Sequence, residues 1–169
     1  MFQNIILHEE ELQLEKSATQ QCTEYVVAWL NQRGFRAKIR NTLNGSPDPK
    51  FPNLIDIDCK LLVSPITLQV TCPNDPKKTA FLGVNAEKTD KNPSDIYIQA
   101  LYYDDGTIKL VGFAYHENLG YYGPDRAIPK EATYRVYRNF LRNINELPEA
   151  LEQRANNNTI KYVNTIKYV

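Results

Sequence analysis

Between Leu54 and Cys72 the chain alternates apolar and polar residues twice, on either side of a Ser64-Pro65 turn, a pattern of period two that predicts a β-hairpin. Successive side chains of a strand point to opposite faces, which places Ile55, Ile57, Cys59 and Leu61 on one face and Asp56, Asp58 and Lys60 on the other. In the second run Leu68, Val70 and Cys72 oppose Gln69 and Thr71. A two-residue turn flanked by Val63 and Ile66 would set Asp58 across from Thr71 and Lys60 across from Gln69, so that two acids, a lysine and an amide share one patch.

Around this hairpin the pattern predicts an α+β chain. Val26, Trp29 and Leu30 mark the buried side of a helix over residues 10–33, which Gly34 would terminate. A strand over 35–41 would carry Arg36, Lys38 and Arg40 on one face. Three prolines and Gly45 make residues 44–52 a turn-rich connection, and 81–86 is a weaker strand. Residues 95–103 and 107–114, joined by Asp104-Asp105-Gly106, form a second hairpin whose apolar content suggests the middle of a sheet. Val136, Phe140, Leu141 and Ile144 recur at helical spacing, predicting a helix over 129–144 with Arg135, Arg138 and Arg142 on another stripe. A further helix is expected from Pro148 to Ala155.

Residues 156–169 are set apart as a tail, because Asn158-Thr-Ile-Lys-Tyr-Val recurs letter for letter from Asn164. Two units are too few to stack into a solenoid. Local duplication is one reading, and an edge strand formed from the β-prone units is the other.

A chain of 169 residues is long enough for one domain, here 1–155, to bury its own core. Its cysteines, Cys22, Cys59 and Cys72, are odd in number and lack metal-ligand spacing, so they read as reduced core residues, with a Cys59–Cys72 disulfide the minor alternative. The first residues lack the basic and long apolar runs of a signal peptide, and no stretch is apolar enough to span a membrane. A soluble, cytoplasmic protein is expected. Formal net charge is zero, so any affinity for nucleic acid must come from local clusters such as Arg36, Lys38 and Arg40 or Arg135, Arg138 and Arg142. His8 and His116 lie too far apart for a metal pair, and there is neither a Gly-x-Ser-x-Gly elbow nor a phosphate-binding glycine loop.

The hairpin resembles the catalytic core of the restriction-endonuclease-like superfamily, the PD-(D/E)xK nucleases, in which an acid on one strand is followed about a dozen residues later by Glu-x-Lys or Gln-x-Lys. Asp58 stands at the acid position, Gln69 at the amide position and Thr71 where the lysine belongs. The likeness spans roughly residues 15–120, taking in the opening helix and the 94–114 hairpin. It implies a mixed β-sheet flanked by helices and a metal-dependent DNA endonuclease of the restriction or homing type, working on double-stranded DNA as a homo-oligomer. Asp58, Gln69 and Asp56 would hold Mg2+ or Mn2+, with Glu24 as a further catalytic carboxylate and Lys60 replacing the missing lysine. Lys77, Lys78 and Lys88 are the other lysines able to reach in. The alternative implied by Thr71 is a catalytically degenerate nucleic-acid-binding or protein-interaction module on the same fold.

Overall fold

The computed structural model describes residues 16–41, 50, 52–58, 65–77, 80–122 and 132–167, with the backbone alone for 121–122 and 158–167. Helix α1, Ala18–Gln32, starts where the Ser17 hydroxyl accepts the Gln20 amide at 3.1 Å, and it stops before Gly34, whose φ of +89° lies in the left-handed region. Its buried stripe is Cys22, Thr23, Val26 and Leu30. Thr23 is tolerated in the core because its hydroxyl donates to the Thr19 carbonyl at 2.7 Å. Asn31 then locks the turn into strand β1, Ala37–Ile39, by exchanging two hydrogen bonds with the backbone of Ala37.

Strands β2 (Leu54–Ile57), β3 (Ile66–Thr71), β5 (Ile96–Tyr102) and β6 (Ile108–Tyr115) complete a five-stranded sheet in the order β1-β2-β3-β5-β6. Only the β3–β5 pair is parallel. A parallel neighbour requires a crossover, supplied by strand β4 (Phe81–Asn85) and helix α2 (Ala86–Lys91). β4 also belongs to a second sheet, ordered β4-β8-β7, with β7 at Gly120–Tyr122 and β8 at Thr133–Tyr137. The chain ends in α3, Leu147–Lys167. The α+β class and the mixed sheet agree with the expectation from sequence. No helix among the described residues is long and apolar enough to cross a membrane.

The two faces of the large sheet are covered differently. Ile55, Ile57, Ile66, Leu68, Val70, Ile96, Ile98 and Phe113 pack with Cys22, Val26 and Leu30 of α1 and with Leu147 and Leu151 of α3 in the main core. On the opposite face Tyr97 meets Leu82 and Val84 of β4 in a smaller cluster. Gln69, Thr71 and Gln99 alternate with the main-core residues and share this second face.

Several sequence-based expectations require correction. The segment expected to be helical over 129–144 holds strand β8 and two 3-10 turns, Arg138–Phe140 and Ile144–Glu146. Its first five described strand residues, Thr-Tyr-Arg-Val-Tyr, are β-branched or aromatic apart from Arg135, and pairing with β4 settles the choice. Phe140, a core position under helical periodicity, is 78% exposed. The 158–167 backbone is helical, against the edge-strand reading of the repeat. Extending a helix nucleated at Leu147 and Pro148 costs far less than starting one, which lets β-prone residues join it. That helix crosses residue 155 without a break.

The route into α3 depends on a close approach at Gly112. Phe113 and Arg142 exchange backbone hydrogen bonds of 3.1 and 2.9 Å, closing part of the β6 edge. A Cβ at Gly112 would lie 2.7 Å from the Arg142 carbonyl oxygen and 3.0 Å from Leu141 Cβ. Gly112→Ala is therefore expected to destabilise the fold by about 1–3 kcal/mol, read by chemical denaturation, because backbone rather than a flexible side chain must give way.

Candidate nucleic-acid interface

Among its described residues the hairpin keeps its predicted faces but not its predicted register. Gln69 pairs with Leu54, and Asp56 pairs with Thr67. Gln69 therefore faces a residue six positions before Lys60, its expected partner. An even shift preserves the face of every side chain while separating residues expected to meet. The cause is the connection: β2 ends at Ile57 and β3 begins at Ile66, a span far longer than a two-residue turn. Pro65, with no N–H to donate, precedes the first residue of β3.

The candidate metal ligands consequently disperse. Asp58 is exposed beyond the paired end of β2, four residues from Leu54, which places it about 13 Å along the strand from the residue opposite Gln69. Asp56 lies on the expected face, but Arg40 holds it in a two-pronged ion pair, Nη2 to Oδ1 at 2.8 Å and Nε to Oδ2 at 3.2 Å. Glu24 binds Lys16 at 2.9 Å on the surface of α1. Lys60 lies outside the described residues, as do Cys59 and Lys78. No group of three or more His, Cys, Asp or Glu side chains positioned to hold a metal ion occurs among the described residues.

Gln69 and Thr71 instead line a cleft of about 700 Å³ between the second face of the large sheet and the β4–α2 crossover. Ser17 and Thr19 contribute from the start of α1, Asn53 from the residue before β2, and Asn85, Lys88 and Lys91 from the crossover. Lys50 lines the cleft as well. Asn53 is fixed by a reciprocal pair, its Nδ2 donating to the Val70 carbonyl and its own carbonyl accepting the Val70 amide, each at 3.0 Å. Thr71 donates its hydroxyl to the Ile98 carbonyl at 3.2 Å. Asn85 caps α2 by accepting the Lys88 amide at 3.0 Å, and the three-residue spacing of Lys88 and Lys91 puts both on neighbouring positions of that helix. The Lys91–Glu87 pair at 3.3 Å joins two largely exposed side chains and gives little stability.

Three lysines and several amides and hydroxyls thus line the cleft, and none of the described lining residues is a carboxylate. Such a donor set suits oxyanions, phosphate above all. Magnesium is usually held through one or two protein carboxylates, and none of the described cleft residues supplies one. Cys72, on the same wall, has its thiol held down at about 7. The hydrogen bond it accepts from Cys22 is the main cause, and burial opposes it.

The predicted basic rows are only partly assembled. Arg36, just before β1, and Lys38, within it, are exposed, whereas Arg40 is drawn to Asp56 and Thr67. Arg135 lies 4.3 Å above the Phe81 ring in the small sheet, and Arg142 lies 5.0 Å from the Tyr115 ring on the large one. Arg138 sits in a 3-10 turn, so the three arginines form no helical stripe. Of the cleft residues, Gln69, Thr71 and Lys88 were legible from sequence. Lys50, Asn53 and Lys91 were not, although Asn85 followed by Lys88 and Lys91 carries the signal of a capped helix with a basic side. In comparisons with known proteins, no family model, no curated protein and no solved structure matches this chain.

Proposed function

We propose that this chain is a nucleic-acid-binding module on a restriction-endonuclease-like fold, holding backbone phosphates in the cleft without hydrolysing them. One observation carries the reading: Gln69 and Thr71, which stand at the positions resembling a nuclease motif, open onto a cleft lined by Lys50, Lys88 and Lys91 and by no described carboxylate. The fold assignment is supported by the element order, since an opening helix, an acid-bearing hairpin and a second hairpin follow one another as the resemblance implies. Lysine ammonium groups engage phosphates as point charges, and each contact releases condensed counterions. Zero net charge is compatible with this chemistry because Lys50, Lys88 and Lys91 line the same cleft. The expectation of a homo-oligomer came from double-strand cleavage and has no place in a module that does not cut.

Fluorescence anisotropy with a labelled duplex between 50 and 200 mM salt tests the reading, alongside plasmid incubation with magnesium or manganese. Three phosphate contacts predict a log–log salt slope of about −2.7, with the plasmid left intact. Chelator-sensitive cleavage that disappears in Asp58→Ala would instead support the metal-dependent endonuclease reading. Absence of binding at 50 mM salt would remove both.

A further inference from the structure

We propose that Cys22 and Cys72 form a peroxide-oxidisable dithiol that closes to an intramolecular disulfide between helix α1 and the end of β3. The two Sγ atoms lie 3.7 Å apart although fifty residues separate them in sequence. A disulfide requires about 2.05 Å, so the two sulfurs, already in contact, must close the remaining gap for the bond to form. Their environments differ in a way that divides the chemistry. Cys72 is partly exposed on the cleft wall, where an oxidant can reach it, whereas Cys22 is wholly buried behind it. Cys22 donates its S–H to Cys72, which favours the thiolate on the accessible sulfur and pushes the Cys22 thiol well above the ordinary range. A second contribution at Cys72 comes from the Tyr102 backbone. Cys72 is thus the more readily ionised of the two thiols, as the attacking sulfur must be.

The reaction balances with a hydroperoxide as the two-electron oxidant. The Cys72 thiolate attacks one peroxide oxygen, the O–O bond breaks, and the departing oxygen leaves as hydroxide or alkoxide and takes up a proton. Cys72 is then a sulfenic acid. The Cys22 sulfur attacks the sulfenic sulfur, an S–S bond forms, the S–O bond breaks, and hydroxide leaves and takes the Cys22 proton as water. Two thiols and one hydrogen peroxide yield one disulfide and two waters. Because Cys22 stands ready as the resolving thiol, the sulfenic acid is consumed before a second oxidation. The inference is independent of whether the cleft binds phosphate.

The test uses the full chain, oxidised with stoichiometric hydrogen peroxide under native conditions and analysed by intact mass and by non-reducing peptide mapping. The expected result is a loss of two hydrogens and a cross-link joining the peptide that contains Cys22 to the peptide that contains Cys72. Cys59→Ser should give the same cross-link, and Cys22→Ser should leave a sulfenic acid at Cys72 that dimedone traps. A cross-link through Cys59, a disulfide between two chains, accumulation of sulfinic acid at Cys72 in the unaltered protein, or no reaction would each overturn the proposal.

Discussion

Reversing the cleft charges in a Lys50→Glu/Lys88→Glu/Lys91→Glu variant is expected to weaken duplex binding by on the order of a thousandfold at 0.1 M salt. Losing one phosphate contact costs about eightfold at that concentration, three cost roughly 500-fold, and the new carboxylates add repulsion. The salt dependence should flatten almost completely. Folding should be little affected, because all three lysines are exposed and the Lys91–Glu87 pair is a surface one. Placing glutamate opposite Glu87 at that spacing costs about 0.2–0.5 kcal/mol. Anisotropy titrations at several salt concentrations separate the outcomes. If the variant binds with the affinity and slope of the parent protein, the phosphates sit elsewhere, and Arg36 and Lys38 at β1 become the next residues to reverse.

Alternation along the chain established the faces of the hairpin, because a pleated strand leaves a side chain only two directions. Ile55 and Ile57 are buried, as are Leu68 and Val70, with Asp56 and Gln69 on the other side. Register is a different quantity. It depends on the length of the connection, and the Ser64-Pro65 dipeptide suggested a tight turn although β2 had already ended at Ile57. The two strands of the 94–114 hairpin and their turn were legible because the turn chemistry is decisive, whereas the register shift between Gln99 and Ala100 carries no local signal. Gly106 adopts a φ of +84°, and the Asp105 carboxylate accepts the Thr107 amide at 2.9 Å.

The cleft was legible only where its residues belong to the hairpin itself. Lys50 and Asn53 precede β2, and Lys88 and Lys91 arrive through the crossover, so their meeting depends on the parallel pairing of β3 with β5. No local pattern encodes that pairing. The 133–137 strand shows the same limit from the other direction. Val136 and Phe140 have a spacing of four that suits a helix, but Leu82 and Val84 of β4 offer a partner strand and an apolar surface, and long-range pairing prevails.

Phe113 and Phe140 separate the two readings of that region by experiment. Phe113→Ala is expected to cost about 3–5 kcal/mol, the range for emptying a fully buried aromatic site. The ring is wholly buried in the main core, meets Tyr115 edge to face with centroids 5.9 Å apart, and belongs to the residue whose backbone holds Arg142. Against a total stability of about 5–15 kcal/mol, such a loss brings the domain close to unfolding at room temperature. Phe140→Ala, by contrast, should stay within about 0.5 kcal/mol of the parent, since 78% of that side chain already meets solvent. A helix over 129–144 would make Phe140 a core residue and predict a loss of several kcal/mol there as well. Urea denaturation of the two variants decides, provided the slopes match the parent so that midpoints report stability alone. Because the Phe113 ring packs on the α1 and α3 side of the sheet, opposite the cleft, the folded fraction of Phe113→Ala should bind duplex with the parent salt slope. A changed slope would mean that the damage spreads through the sheet to Gln69 and Thr71.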